Sequence, residues 1–245
     1  MASATLQRRI TELLGHHRPA VGDWCTIGRI PEPPADVRTA VGGGRLRPGI
    51  IRPLEALQYV WVLLALVVGL VAGLIEVLLT LAAKVFQSKA KREAEEKARL
   101  KLVREQEERD AAIAEHRLDR VFDGDWNGTA GRLLLQWYGR SSHPERLVIM
   151  SAGTLVLAAP PRRTGAGRDR KAQVITTFTG DEAVVQDPLR GRWKTGLFRI
   201  RFADGSWLVL TAEEPSGIRE CVMVIRQRDG ENPSGFPVDA GSGAP

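Results

Sequence analysis

Cysteine, histidine and aromatic residues are scarce in this chain of 245 residues. Two cysteines, four histidines and an aromatic content of 6% leave little material for a disulfide framework or a metal centre. Cys25 and Cys221 lie far apart in the sequence, so neither a disulfide scaffold nor a zinc site is predicted. We therefore expect no metal ion and no cofactor.

Catalytic motifs are also missing. The sequence has no GxSxG, no HExxH and no GxxxxGK[ST], and Gly165 and Gly167 lack the spacing of a phosphate loop. His16 and His17 are adjacent and His143 precedes a proline, so no histidine has an evident catalytic partner. We predict that the protein is not an enzyme. An enzyme with dispersed catalytic residues is the alternative.

Positive charge is in excess without being concentrated. The formal net charge is +6, from 35 Lys and Arg against 29 Asp and Glu. No segment carries the dense basic stripe of a nucleic-acid-binding protein, so we expect no nucleic-acid partner. The preference for Arg over Lys, with abundant Ala, Gly and Val, resembles residue usage in proteins from GC-rich bacterial genomes.

A long hydrophobic run extends from Tyr59 to Ala83. Its one acidic or basic side chain is Glu76. A helix of this length would rise roughly 37 Å at about 1.5 Å per residue, whereas the hydrocarbon core of a bilayer is about 30 Å thick. We therefore predict a single transmembrane helix within residues 53–86, because a hairpin of two spans would need roughly forty apolar residues.

Basic residues flank this run unevenly. Within about twenty residues, a distance over which Lys and Arg influence orientation, three precede the run and seven follow it. The excess of Lys and Arg favours a cytoplasmic location for the following segment. The predicted localisation is the cell (plasma) membrane, single-pass, with the C-terminal domain in the cytoplasm.

Small or polar residues form one stripe along the predicted span. Gly69 and Gly73 form a GxxxG motif, which lets two helices approach closely. Glu76 and Thr80 fall on the same face at helical spacing, and an intramembrane carboxylate normally faces a partner. We predict that these residues mediate homodimerisation or docking onto a partner membrane helix. A chance GxxxG, with Glu76 reaching toward the interface, is the alternative.

Composition divides the rest of the chain into further segments. Residues 1–52 are predicted to be a mostly disordered tail, because prolines and glycines interrupt them. Residues 87–120 contain no proline or glycine and carry repeated opposite charges at i,i+4, which predicts a charged helical stalk. Whether the stalk pairs as a coiled coil stays open. Residues 229–245 are predicted to be a disordered tail. Two amphipathic turns within the first tail are indicated by Leu6, Ile10, Leu13 and Leu14.

Alternating hydrophobicity predicts a β domain over residues 121–228. Val, Ile, Leu, Thr and aromatic residues fill seven segments that turn residues separate. An amphipathic helix from Glu213 to about Arg226 is predicted to close the domain. The predicted strands are Arg132–Tyr138, Arg146–Ser151, Thr154–Ala159, Gln173–Phe178, Ala183–Gln186, Leu197–Phe202 and Trp207–Thr211.

Seven antiparallel strands followed by one helix resemble the pleckstrin-homology-like (PH-like) and GRAM-like domains of bacterial membrane proteins. The resemblance rests on element order: paired strands from Arg146 to Ala159, a later hairpin from Leu197 to Leu210, and the closing helix. It implies a partly open barrel, capped by the helix, that binds lipid headgroups, peptides or partner domains. A small barrel or sandwich of another lineage is the alternative.

Two basic clusters within this domain are the candidate sites for an anionic lipid or a protein ligand. Their cations would attract phosphates or other anions electrostatically. A solvated loop without a ligand is the alternative interpretation. The residues concerned are Arg162, Arg163, Arg168, Arg170, Lys171, Arg190, Arg192 and Lys194.

The predicted fold class is an α+β membrane protein. One transmembrane helix continues into the charged stalk, and a small antiparallel β-barrel or sandwich with a C-terminal helix follows. The predicted function is a single-pass, membrane-anchored adaptor or scaffold that presents the PH-like domain and associates through its span. The alternatives are a structural subunit of a larger membrane complex, such as a transporter or secretion assembly, and an anionic-lipid-sensing module. Predicted partners are the membrane, a second copy or a partner membrane helix, and a lipid or protein ligand at the β domain.

Overall fold

A computed structural model describes residues 4–15, 20–40, 44–50, 89–151, 153–190 and 192–214. Its helices are α1 (Ala4–Leu14), α2 (Ala35–Ala40), α3 (Lys89–Glu115), α4 (Thr129–Arg140) and α5 (Arg168–Lys171). Its strands are β1 (Ala20–Thr26), β2 (Glu145–Ser151), β3 (Thr154–Ala159), β4 (Gln173–Thr179), β5 (Ala183–Gln186), β6 (Leu197–Phe202) and β7 (Trp207–Ala212). The described residues of Met1–Ile50 and His116–Pro245 belong to one compact unit, and those of Ile51–Glu115 belong to a second.

The seven strands form one antiparallel sheet in the order β4-β3-β2-β1-β7-β6-β5. Strand β1 lies at its centre, pairing with β2 along its whole length and with β7 through Cys25 opposite Ala212. Past the end of β1, Phe122 forms a bridge with Leu208 in β7. The strand that joins the two halves of the sheet therefore comes from the N-terminal region, far from β2 in the sequence.

Both faces of the β2 region are buried. Side chains alternate between the two faces of a strand, and the neighbouring residues Leu147 and Val148 accordingly belong to different core clusters. Leu147 packs in the cluster that contains Ile10 of α1, whereas Val148 packs in the cluster that contains Leu134 of α4. Burial on both sides explains why β2 is a nearly continuous apolar run in the sequence.

Helix α1 confirms the amphipathic turns predicted from leucine and isoleucine spacing. Leu6 and Ile10 are buried. The helix ends at Leu14, and Gly15 follows it. The φ of +64° at Gly15 and the hydrogen bond from its N–H to the Thr11 carbonyl (3.1 Å) form a left-handed C-terminal cap. The first part of the chain, predicted to be mostly disordered, thus contributes a helix and the central strand.

Six predicted strands are confirmed as β2 to β7, with boundaries that differ by at most one residue. The charged helix is confirmed over Lys89–Glu115. The predicted strand Arg132–Tyr138 is wrong, because these residues lie within helix α4. A short apolar run suits a buried helix as well as a buried strand, and periodicity alone does not separate the two. Beyond Glu214, the predicted closing helix and the tail 229–245 lie outside the described residues.

The predicted fold class, a membrane protein with a small C-terminal β domain, is wrong. The sheet has seven antiparallel strands and includes β1 from the N-terminal region. Across the described ranges, no helix combines the length and the apolar character needed to cross a membrane. We therefore correct the fold class, the single-pass topology and the plasma-membrane localisation, which had been predicted from the hydrophobic run, its flanking basic residues and the strand pattern that follows it. The predicted span 53–86 lies outside the described residues, as do its predicted association residues Gly69, Gly73, Glu76 and Thr80.

Candidate functional site

The connection between β3 and β4, residues 160–172, carries the first predicted basic cluster; we call it the basic loop. Its short helix α5 begins after Gly167, which has a φ of +67°. The Lys171 N–H donates to the Gly167 carbonyl, and the Ala172 N–H donates to the Asp169 carbonyl. The basic loop therefore has a regular turn of its own.

Trp24 of the central strand holds the basic loop against the sheet. Its side chain is buried, and its indole Nε1 donates a hydrogen bond of 2.8 Å to Asp169 Oδ1. The Arg168 guanidinium lies 4.8 Å from the centre of the indole ring, within the range of a cation–π contact. Arg168 and Asp169, the first two residues of α5, thus both contact Trp24 of β1.

Arg168 is also bound to two carboxylates. It donates to Glu145 at the start of β2 and to Glu213 just after β7. Burial lowers the pKa of Arg168, but hydrogen bonds and charge interactions with Glu145 and Glu213 outweigh this effect and raise the pKa above its usual value. The structure therefore places this predicted anion-binding residue in a partly buried ion-pair network with two carboxylates of the same domain.

The first half of the basic loop is held by two serines that follow α4. The Ser141 hydroxyl donates to the Pro160 carbonyl, and the Ser142 hydroxyl oxygen accepts a hydrogen bond of 3.1 Å from the Arg163 N–H. The Arg163 side chain donates to the Gly49 carbonyl at 3.2 Å. Arg163, also predicted to bind an anion, therefore makes structural contacts to backbone groups.

Gly49 allows the segment 44–50 to approach Ser142 closely. Its N–H donates to the Ser142 carbonyl at 2.8 Å, and a Cβ at this position would lie 2.7 Å from the Ser142 Cβ. A side chain there would displace the segment that accepts the Arg163 hydrogen bond.

His143 lies buried beside the same loop. Its ring centre is 6.0 Å from that of Trp24, and its Nδ1 accepts a hydrogen bond of 3.2 Å from the Glu145 N–H. Burial lowers the pKa of His143 below its usual value of 6.5. The imidazole is therefore neutral at pH 7, and its contacts here are structural.

Arg146 holds the C-terminal end of α4. Its side chain is only 1% exposed and donates to the carbonyls of Trp137, Ser141 and His143. Burial lowers the pKa of this guanidinium to about 10, and its carbon lies 4.2 Å from the centre of a Trp137 ring. The last carbonyls of a helix have no partner within the helix, so a buried cation there satisfies them and matches the helix dipole.

The turn between β6 and β7 holds the opposite end of α4. Asp204 Oδ2 accepts a hydrogen bond of 2.6 Å from the Thr129 N–H, and Ser206 Oγ accepts one of 3.1 Å from the Ala130 N–H. Partial burial raises the pKa of Asp204, but hydrogen bonds from Ser206 and Thr129 outweigh it and hold the pKa at about 2. Because both ends of α4 are fixed, Ser141 and Ser142, which follow its last residue, are positioned to bond to the basic loop.

Asp23 links the end of β7 to the same region. Its buried carboxylate accepts hydrogen bonds from the N–H groups of Trp24 (2.7 Å) and Glu214 (3.0 Å). Burial raises the pKa of Asp23 above its usual value, with the two backbone donors acting against the shift. The chain that follows β7, including Glu213, is thereby fixed beside Arg168.

The remaining cations of the basic loop, Arg162, Arg170 and Lys171, are exposed. The structure therefore divides the predicted cluster into structural residues (Arg163 and Arg168) and exposed residues. Charge in the sequence does not distinguish these two groups, because the carboxylates and the indole that bind Arg168 come from distant segments.

The second predicted cluster lies in the connection between β5 and β6. Arg190, Arg192 and Lys194 are exposed, and the Arg192 guanidinium stacks 4.4 Å from the centre of the Trp193 ring. This connection approaches the end of β7, where the Ala212 N–H donates to the Gly196 carbonyl at 2.8 Å. The second cluster therefore borders the segment that supplies Glu213.

Sequence reasoning missed Trp24, Asp23 and Arg146 as organising residues. A signal for β1 was present, because Ala20–Thr26 contains valine, tryptophan and threonine and is followed by a glycine and prolines. No comparable signal identifies Arg146, since a single arginine at a strand start gives no indication of burial.

In the part of the chain that the structure describes, no group of three or more His, Cys, Asp or Glu residues is placed to hold a metal ion. Comparison with protein-family models, with curated proteins and with solved structures yields no match for the chain. The function is therefore inferred from the geometry of the basic loop.

Proposed function

We propose that this protein is a non-enzymatic adaptor whose sheet domain binds an anionic group of a partner through the basic loop. The observation that carries the proposal is the division within that loop. Arg168 holds the loop to the sheet and Arg163 holds it to Gly49 and Ser142, while Arg162 and Arg170 remain exposed. A loop that is already ordered loses less conformational entropy when a ligand binds.

The chemistry of the exposed residues favours an oxyanion. Arginine presents a planar set of donors that matches a phosphate or a carboxylate in a bidentate arrangement. Five basic residues lie in the basic loop, together with one acid, Asp169, which accepts a hydrogen bond from Trp24; Glu145 and Glu213 contact Arg168. The five basic residues outnumber these three acids, so the local surface keeps a positive surplus after the ion pairs of Arg168 are formed.

The number and antiparallel pairing of the strands favour a binding domain of the PH-like kind. The sheet has seven antiparallel strands, as the resemblance implies, although its first strand, β1, comes from the N-terminal region instead of residues 132–138. Buried titratable groups support a structural over a catalytic role, because Asp23, His143 and Arg146 are engaged by backbone groups within the fold. We therefore propose binding, and no reaction, at this surface.

Calorimetric titration of the full chain tests the proposal. Inositol hexakisphosphate serves as the phosphate-rich probe and a poly-glutamate peptide as the carboxylate-rich probe, both at low salt, where charge interactions are least screened. With about 0.5–1 kcal/mol per exposed charge, the double variant Arg162→Ala/Arg170→Ala should bind about 5- to 30-fold more weakly. Arg132→Ala, an exposed arginine on α4, is the matched control.

The probe or probes that bind indicate which kind of anionic group the basic loop recognises. Binding of one probe identifies the source of the oxyanion, and binding of both indicates recognition of charge density alone. The proposal is wrong if neither probe binds, or if Arg132→Ala weakens binding as much as the double variant does.

A further inference from the structure

Among the residues that the structure describes, the sheet is open, and its two edge strands, β4 and β5, differ. Strand β5 has four residues, and Pro188, which has no N–H to donate, follows shortly after it. Strand β4 has seven residues, no charged side chain and a run of β-branched residues, and its Val174 is 47% exposed. Its pairing with β3 is irregular at Ile175, which lies between the paired residues Val174 and Thr176 and has no partner residue in β3. A long uncharged edge of this kind is a template for pairing with another strand.

Hydrogen bonds at the end of β4 show which of its residues face away from β3. The N–H and the carbonyl of Thr179 both bond to Glu182, and the Gly180 N–H donates to the Gly153 carbonyl at 2.8 Å. In an antiparallel ladder, successive residues alternate between facing the neighbouring strand and facing away. Thr179 and Thr177 therefore direct their backbone groups toward the open edge.

Two charged side chains occupy positions that a neighbouring strand would fill. Arg140 Nη1 donates to the Ile175 carbonyl at 3.2 Å, as a strand N–H would. Glu182 Oε2 accepts from the Thr179 N–H at 2.8 Å, as a strand carbonyl would. Thr177 lies between these two caps with an exposed side chain.

We propose that the β4 edge binds a second copy of this chain, antiparallel, with Thr177 opposite Thr177 of the other copy. In this register, Ile175 of each copy lies opposite Thr179 of the other. The N–H of Thr179 from the second copy then replaces Arg140 at the Ile175 carbonyl. In the same way, its Ile175 carbonyl replaces Glu182 at the Thr179 N–H.

Charge complementarity favours a second copy over an unrelated strand. Arg140 lies beside Ile175 and Glu182 lies beside Thr179. The two-fold arrangement therefore brings Arg140 of one copy next to Glu182 of the other, so each displaced cap meets an opposite charge. A single strand pair is a small interface, so the association is weak and depends on concentration.

Sedimentation velocity of the full chain over a range of concentrations tests this register. Thr177→Lys and Thr177→Glu each place like charges directly opposite one another, which should weaken self-association roughly 5-fold. An equimolar mixture of the two variants places opposite charges there and should restore association. Thr39→Lys and Thr39→Glu, at an exposed threonine of α2, are the matched controls.

The mixture also separates loss of the interface from loss of folding, because misfolded variants would not recover when mixed. The proposal is overturned if the wild-type chain shows no concentration-dependent association. It is equally overturned if the Thr177 variants associate as strongly as the wild type, or if their mixture associates as weakly as each variant alone.

Discussion

Replacement of Asp204 by alanine tests how α4 is fixed to the sheet. Asp204 accepts hydrogen bonds from the Thr129 N–H (2.6 Å), the Ser206 N–H (3.0 Å) and the Ser206 hydroxyl (2.6 Å). Gly128, at the N-cap position of α4, has no side chain to cap the helix. The variant therefore removes a cap that arrives from a turn distant in the sequence.

The expected loss follows from the capping bond. Losing an N-cap side chain costs about 1 kcal/mol in free energy of unfolding. Because Asp204 is exposed, solvent screens its charge, and we add no further electrostatic contribution. For a chain of this size, about 1 kcal/mol corresponds to a fall in Tm of about 2–4 °C.

The effect should depend on pH in a defined direction. The pKa of Asp204 is held at about 2, below its usual value of 3.8. A carboxyl group whose pKa is lower in the folded chain than in the unfolded chain stabilises the fold at pH values above its unfolded-state pKa. This stabilisation is lost as the pH falls through its folded-state pKa. The difference between wild type and variant should therefore be complete above about pH 4 and shrink toward pH 2.

Urea denaturation at pH 7, 4, 3 and 2 measures this difference. Asp181→Ala, at an exposed aspartate of the turn between β4 and β5, is the matched control. Equal stability of Asp204→Ala and wild type at pH 7 would refute the capping argument. A difference that stays constant down to pH 2 would refute the assigned pKa.

Two further variants test the buried groups beside the basic loop. Arg146→Met should cost about 3–5 kcal/mol in chemical denaturation, because it leaves buried carbonyls of α4 without their donor; a cost below 1 kcal/mol would contradict the role of Arg146. His143 has a lowered pKa, so the unfolded chain binds more protons and wild-type stability should fall as the pH drops through 6.5. His143→Asn should flatten stability between pH 7.5 and 5.5, and an unchanged slope would place the titrating group elsewhere.

Strands with local partners were predictable from the sequence. In Leu197–Phe202, apolar residues alternate with arginines, and the short turn that follows brings β7 back beside it. Strand β1 was not predicted, although it contains strand-forming residues, because it has no partner strand nearby in the sequence to form a hairpin. The periodicity of a segment indicates a strand only when its pattern is regular, and Ala20–Thr26 is buried over most of its length without strict alternation.

Helix α4 was misassigned for a related reason. Its caps, Asp204 and Arg146, come from the β6–β7 turn and from β2, so its own sequence carries neither end signal. The candidate site was predicted in the same partial way. The local excess of basic residues identified the basic loop. The different roles of Arg168, which is structural, and Arg162, which is exposed, depend on contacts that Arg168 makes with β1, β2 and the end of β7.

Hydrogen–deuterium exchange on the full chain, without a probe and with inositol hexakisphosphate or the poly-glutamate peptide, whichever binds in the calorimetric titration, tests the central claim most directly. The account predicts that the probe slows exchange in the basic loop, residues 160–172, and leaves the β5–β6 connection unchanged. Protection confined to the β5–β6 connection, or the absence of any protection at saturating probe, would contradict it.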